Sequence, residues 1–100
     1  MIKVLLERRV KRKNYSKLIA NLTDLRAACL RQSGYITGET LIRGYDPIDV
    51  LVISTWISEG YWKAWMTKEE RITLNDLINP LIDGEEKISI YKMASDKADA

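Results

Sequence analysis

The segment Val50 to Ile57, VLVISTWI, constrains the fold more than any other part of this chain. Its β-branched and aromatic residues read as a strand. Both of its alternating faces are largely apolar, so both need a covering layer. The chain has 100 residues, enough for one hydrophobic core and too few for two. A strand covered on two sides must therefore sit in the middle of that one core, or one of its faces must be covered by another molecule.

The flanking patterns supply the neighbours. Residues 2–10, IKVLLERRV, alternate as a strand, with Ile2, Val4, Leu6 and Arg8 on one face and Lys3, Leu5, Glu7 and Arg9 on the other. Asn14 is an expected N-cap for an amphipathic helix over 15–32. Its stripe is Tyr15, Leu18, Leu22, Leu25 and Cys29, widened by Ile19 and Ala28, and Gly34 stands at the expected left-handed C-cap. Residues 35–43 read as a strand and 44–49, with Asp46-Pro47, as a turn. Ser58 is expected to cap a short helix, EGYWKAWM. Thr67-Lys68-Glu69-Glu70 matches a capping box that restarts a helix through Leu74, Leu77 and Ile78 to Pro80. Residues 86–93 read as a last strand. Residues 1–93 are expected to form a single domain, and the polar tail 94–100 to fray.

This order, βαββαβ, predicts an α+β, ferredoxin-like fold: a four-stranded antiparallel sheet with its helices on one face. The helices cover one side of Val50–Ile57. By alternation the other side of the sheet carries Leu5, Leu41, Leu51 and Ile53, an apolar face that calls for a partner. A second copy of the same sheet about a two-fold axis is the simplest cover, which predicts a homodimer through the sheet face.

Composition narrows the chemistry. Histidine is absent and Cys29 is the lone cysteine. Ser-His-Asp and Cys-His catalysis are excluded, as are imidazole or multi-thiolate metal sites. A single cysteine fits a reducing, cytoplasmic setting. No strictly apolar run, Val50–Ile53 included, exceeds four residues, too short to span a bilayer, so no membrane association is expected. The N-terminal charges follow the apolar stretch, the reverse of a secretory signal. The net charge is +2, split as a formal +7 over residues 1–45 and −5 over the rest. The cluster Arg8, Arg9, Lys11, Arg12, Lys13 and Lys17 could meet phosphates. It lacks interleaved aromatic residues and reads instead as a solvated face, so no nucleic acid is expected.

The stretches Tyr35-Ile36-Thr37-Gly38-Glu39-Thr40, Val50 to Trp56 and Ser58 to Trp65 resemble the antibiotic biosynthesis monooxygenase family of dimeric ferredoxin-like α/β barrels. The resemblance extends over about residues 2–93. It implies a pocket between helices and sheet in each subunit, and it implies activities that differ among members, including cofactor-free oxygenation, haem degradation and isomerisation. Trp56 lies where the family's polyketide oxygenases have a pocket tryptophan, but their asparagine four residues earlier is Val52 here. Their pocket tyrosine corresponds to Trp62. Trp65 matches a tryptophan of the haem degraders, whose axial histidine falls on Asn75 and whose first-strand asparagine falls on Arg8. Without that histidine the haem route lacks its usual ligand.

The resemblance thus implies substrate-binding positions at Arg8, Trp56, Trp62, Trp65 and Asn75, and a cofactor-independent monooxygenase that oxidises a small phenolic or quinol substrate with molecular oxygen. An isomerase or a non-catalytic small-ligand-binding protein of the same dimeric fold is the alternative. No metal and no cofactor are expected. No catalytic residue is identified, and Glu7 points away from the pocket by parity. The three tryptophans also serve as core anchors in a chain without Phe. Arg8, on the helix-facing side, needs a partner: a ligand anion, an acid such as Glu70 or Asp76, or water reached by snorkelling. On this reading, Arg8→Ala abolishes ligand binding and leaves the dimer folded.

Overall fold

A computed structural model describes residues 1–94. Seven elements run β1 (Ile2–Val10), α1 (Arg12–Cys29), β2 (Tyr35–Arg43), β3 (Ile48–Trp56), α2 (Glu59–Met66), α3 (Glu69–Ile78) and β4 (Lys87–Lys92), with a 3₁₀ turn at Asn79–Leu81. The sheet order is β2-β3-β1-β4 and every neighbouring pair is antiparallel. This is the expected ferredoxin-like arrangement. All but one residue of the expected tail, 94–100, lie outside the described residues. No described helix is long and apolar enough to cross a membrane.

Alternation decides the two faces of the sheet. Ile2, Val4, Leu6 and Val10 of β1 and Ile48, Val50 and Trp56 of β3 are buried under the helices. Leu18, Leu22, Leu25 and Ala28 of α1, Trp62 and Trp65 of α2 and Ile78 of α3 complete that core. The register pairs Leu5 with Ile53 and Leu51 with both Glu7 and Leu41 on the opposite face. There Leu5, Leu51 and Ile53 are only half-buried and Leu41 is 49% exposed. The expected apolar second face is present.

Several local signals differ from expectation. α1 starts at Arg12 rather than at Tyr15, with Lys11 as N-cap and no side-chain cap bond. The Arg12 N–H instead donates to Asp46 Oδ1 at 3.1 Å, so a tertiary contact replaces the local cap. α1 ends at Cys29, five residues before Gly34. Gly34 is in the left-handed region (φ 84°) but serves the loop into β2. Its carbonyl accepts from the Ile57 N–H at 2.8 Å, and a Cβ there would collide with the Tyr61 side chain, so only glycine fits. The capping box at Thr67 does not form. Lys68 is the N-cap of α3, and the Thr67 hydroxyl bonds back to the Lys63 and Ala64 carbonyls. Such back-bonding competes with capping. Leu77 is exposed, and Arg71 takes the expected leucine's place on the buried stripe with Ile78.

Candidate functional site

Two concavities matter. The larger, about 540 Å³, is an open depression at one end of the sheet, edged by Arg9, Arg43, Asp49, Asp83 and Lys87. There Asp49 accepts from Arg9 at 2.9 Å and from Arg43 at 3.2 Å. Those contacts hold the Asp49 carboxyl below its usual range, with the Arg9 hydrogen bond the main cause. The expected basic cluster is therefore dispersed, with Arg9 ion-paired on the outer face and Arg8 buried on the inner one.

The smaller concavity, about 50 Å³, lies between sheet and helices. Its apolar walls are Leu6 and Val52 from the sheet, Leu22 and Leu25 from α1, and Trp62 and Trp65 from α2. Arg8, Arg71, Cys29, Tyr35 and Ser54 also line it. An aromatic, mostly apolar cleft with a few converging polar groups is the usual form of a small-molecule site.

Three of the five sequence-derived positions, Arg8, Trp62 and Trp65, meet at this cavity. Trp56 and Asn75 are not among its lining residues. Trp56 is fully buried and reaches the cavity only through its neighbours, edge-on to Tyr35 at 5.3 Å and to Trp62 at 5.7 Å. Its indole N–H donates to Ser54 Oγ at 3.0 Å. Asn75 is half-buried on α3 and donates through Nδ2 to Asn79 Oδ1 at 3.5 Å.

Arg8 is the electrostatic centre. Its side chain is wholly buried, and its Nη2 lies 2.5 Å from Glu86 Oε2. Neither Glu70 nor Asp76 is its partner. Register explains the pairing: β1 and β4 match Glu7 with Lys87, so the next rung sets Arg8 beside Glu86. Nε and Nη1 of Arg8 have no hydrogen-bond acceptor. Desolvation lowers the guanidinium's pKa, and the charge of Glu86 opposes that shift. The second oxygen of Glu86 lies 3.7 Å from Nη2 of Arg71. Arg71 is also buried, and its guanidinium sits over the Trp62 ring at 5.4 Å. Sequence reasoning missed Arg71 and Glu86. Arg71 could have been found by its spacing, seven residues before Ile78 and three before Leu74 on one helical stripe.

Among the described residues, no carboxylate on the inner face of the sheet or on the helices lines the cavity as a general base. Burial pushes the Cys29 thiol up to about 11, and burial likewise raises the Tyr35 hydroxyl. Glu39 contributes to the mouth, but the register aligns it with Ile53 on the outer face. Cys29 is therefore expected to react with iodoacetamide at pH 8 about 100-fold more slowly in the folded protein than in urea, because the thiolate fraction falls with the raised pKa. Equal rates would show an exposed, ordinary thiol.

Neither a family model nor a curated protein sequence matches the chain. Solved structures do. A conserved protein from Methanosarcina mazei Go1 is similar with a TM-score of 0.83 and 20% identity, over 91% of this chain and 90% of that one. A candidate antibiotic biosynthesis monooxygenase from Nitrosomonas europaea is similar at 0.84 and 14%, over 95% and 91%. A variant of SnoaB, a cofactor-independent oxygenase from Streptomyces nogalater, is similar at 0.82 and 10%, over 96% and 95%. At these identities the likeness is one of fold. The chain has the ferredoxin-like α+β fold of the antibiotic biosynthesis monooxygenases.

Proposed function

We propose that this protein oxidises a small phenolic or quinol substrate with molecular oxygen, with no metal or flavin taking part. The observation that carries the reading is the aromatic-walled cavity with a buried guanidinium, Arg8, at its wall. A phenol exceeds the 50 Å³ of the cavity, so its entry requires the cleft to widen; there Trp62 and Trp65 flank it and the cation favours its ionised form. The electron-rich phenolate is itself the reductant. With a phenol that is free at the para position, one oxygen atom enters the ring there and becomes the second carbonyl of a quinone. The other leaves as water with the two hydrogens lost by the substrate. With no inner-face carboxylate lining the cavity among the described residues, the phenol's proton passes to water at the mouth.

One feature favours a second reading, a small-ligand-binding protein of the same fold. Val52 puts an apolar side chain where the resembling oxygenases have asparagine, so the cavity wall offers no amide to orient oxygen. The two readings separate by experiment. Oxygen-electrode traces with a panel of phenols and quinols, each followed by mass analysis of the product, are expected to show uptake matched, for a phenol, by a product two hydrogens lighter and one oxygen heavier and, for a quinol, by a quinone two hydrogens lighter with hydrogen peroxide formed. Tight ligand binding with no uptake above the buffer rate across the panel selects the binding protein.

The same reading makes the protein a cytoplasmic homodimer, supported by the lone cysteine and by the outer sheet face with Leu5, Leu51, Ile53 and the exposed Leu41. A carboxylate at the centre of a sheet-to-sheet interface is desolvated without a partner. Ile53→Asp is accordingly expected to move the protein from dimer to monomer or aggregate in light scattering. A stable dimer carrying that change rules the interface out.

A further inference from the structure

We infer that the cavity is an anion site, built to hold the carboxylate of a small monocarboxylic acid between Arg8 and Arg71. The inference uses the pocket of the reading above but not its oxygen chemistry.

The argument is one of unbalanced charge. Two guanidiniums are more than nine-tenths buried, Arg8 with its side chain wholly covered and Arg71 with 7% exposed. Among the described residues, Glu86 is the one carboxylate within ion-pair distance of either. The cluster thus carries a net positive charge away from water. Its hydrogen-bonding is also incomplete: Nε and Nη1 of Arg8, Nη2 of Arg71 and the indole N–H of Trp62 are buried without an acceptor, while Nη2 of Arg8 is held by Glu86 Oε2. Buried donors are normally paired, and a buried charge normally has a counter-charge. Both deficits are met by one incoming anion. Both guanidiniums line the cavity, whereas Glu86 does not. An occupant therefore meets the cationic side of the cluster.

The shape selects the anion. Planar guanidinium forks match a planar two-oxygen group, which argues for carboxylate over a halide. Beyond the arginines the walls are Trp62, Trp65, Leu22 and Leu25, which suit a compact apolar body. The cavity of about 50 Å³ admits an acid the size of formate or acetate and has no room for an aromatic one. Single charge follows from the count, since two guanidiniums and one carboxylate leave one positive charge to be met.

Acetate and its neutral isostere acetamide test this by anaerobic titration calorimetry on the wild-type protein, Glu86→Gln and Arg71→Gln. Acetate is expected to bind at least about tenfold more tightly than acetamide. Arg71→Gln is expected to erase that preference. Glu86→Gln removes the carboxylate that competes for the guanidiniums, and is expected to tighten acetate about tenfold and to enlarge the rise in melting temperature that acetate produces. A purely structural role for Glu86 gives no tightening. Equal affinities of acetate and acetamide for wild type, no acetate binding up to about 10 mM, or unchanged or weaker acetate binding by folded Glu86→Gln each overturn the inference. Should Glu86→Gln fail to fold, the wild-type comparison alone decides. Acetate binding without oxygen uptake from any substrate sinks the oxygenase reading and leaves this one standing. Uptake with a neutral quinol by a protein that ignores acetate does the reverse.

Discussion

Trp56→Ala is expected to destabilise the protein by about 3–5 kcal/mol, the usual cost of emptying a large aromatic site in a core. In a domain of this size that lowers the melting temperature by roughly 15 °C or more. The residue has no exposed surface, so the whole side-chain volume becomes a cavity. Its edge-on contacts to Tyr35 and Trp62 are lost together, and the Ser54 hydroxyl, itself buried, loses the donor that satisfied it. Thermal denaturation followed by circular dichroism measures the effect. Trp56→Phe keeps a ring in place and is expected to recover more than half of the loss. A melting temperature within a few degrees of wild type for the alanine variant would mean that neighbouring side chains refill the site. The result also bears on the cavity, because Trp62 and Tyr35 line it and both lean on Trp56.

The second large effect is at Arg8. Removing one partner of a buried ion pair costs up to about 3–5 kcal/mol when the charge left behind is uncompensated. In Arg8→Met the apolar stem is kept and Glu86 still has Arg71, at 3.7 Å, to meet its charge. The melting temperature is expected to fall, by less than in Trp56→Ala, because a close ion contact is exchanged for a longer one. A double-mutant cycle with Glu86→Gln is expected to show a coupling of about 1 kcal/mol or more. Additive effects would show that the pair is energetically silent despite its proximity. This alters what an Arg8 variant reports. From sequence, Arg8→Ala looks like a clean probe of ligand binding on an intact fold. The structure makes it a stability change first, so Arg71 and Glu86 are the better probes of the anion site.

The outlines of the fold were legible because they depend on period. Alternation in residues 2–10 put Ile2, Val4, Leu6 and Arg8 on one side, and each is buried there. The three-four spacing of Leu18, Leu22 and Leu25 identified the buried stripe of α1. Cap chemistry was a poorer guide. Asn14 and Thr67 have suitable side chains, yet tertiary contacts moved one helix start and back-bonding claimed the other hydroxyl. The signals that failed are each worth about 1 kcal/mol, small enough for packing to override.

The candidate site divides along the same line. Parity alone determined that Arg8 faces the helices, and helical spacing that Trp62 and Trp65 share a side. What sits opposite Arg8 was decided only by tertiary structure. The β1–β4 register, set by strands about eighty residues apart in the chain, brings Glu86 beside it. The docking of α3 carries Arg71 to the same carboxylate. A one-residue slip in that register would turn Glu86 to the other face. Periodicity therefore tells a side chain which way to point. Its partner depends on how distant segments align, and that alignment is fixed by the packing of the whole core.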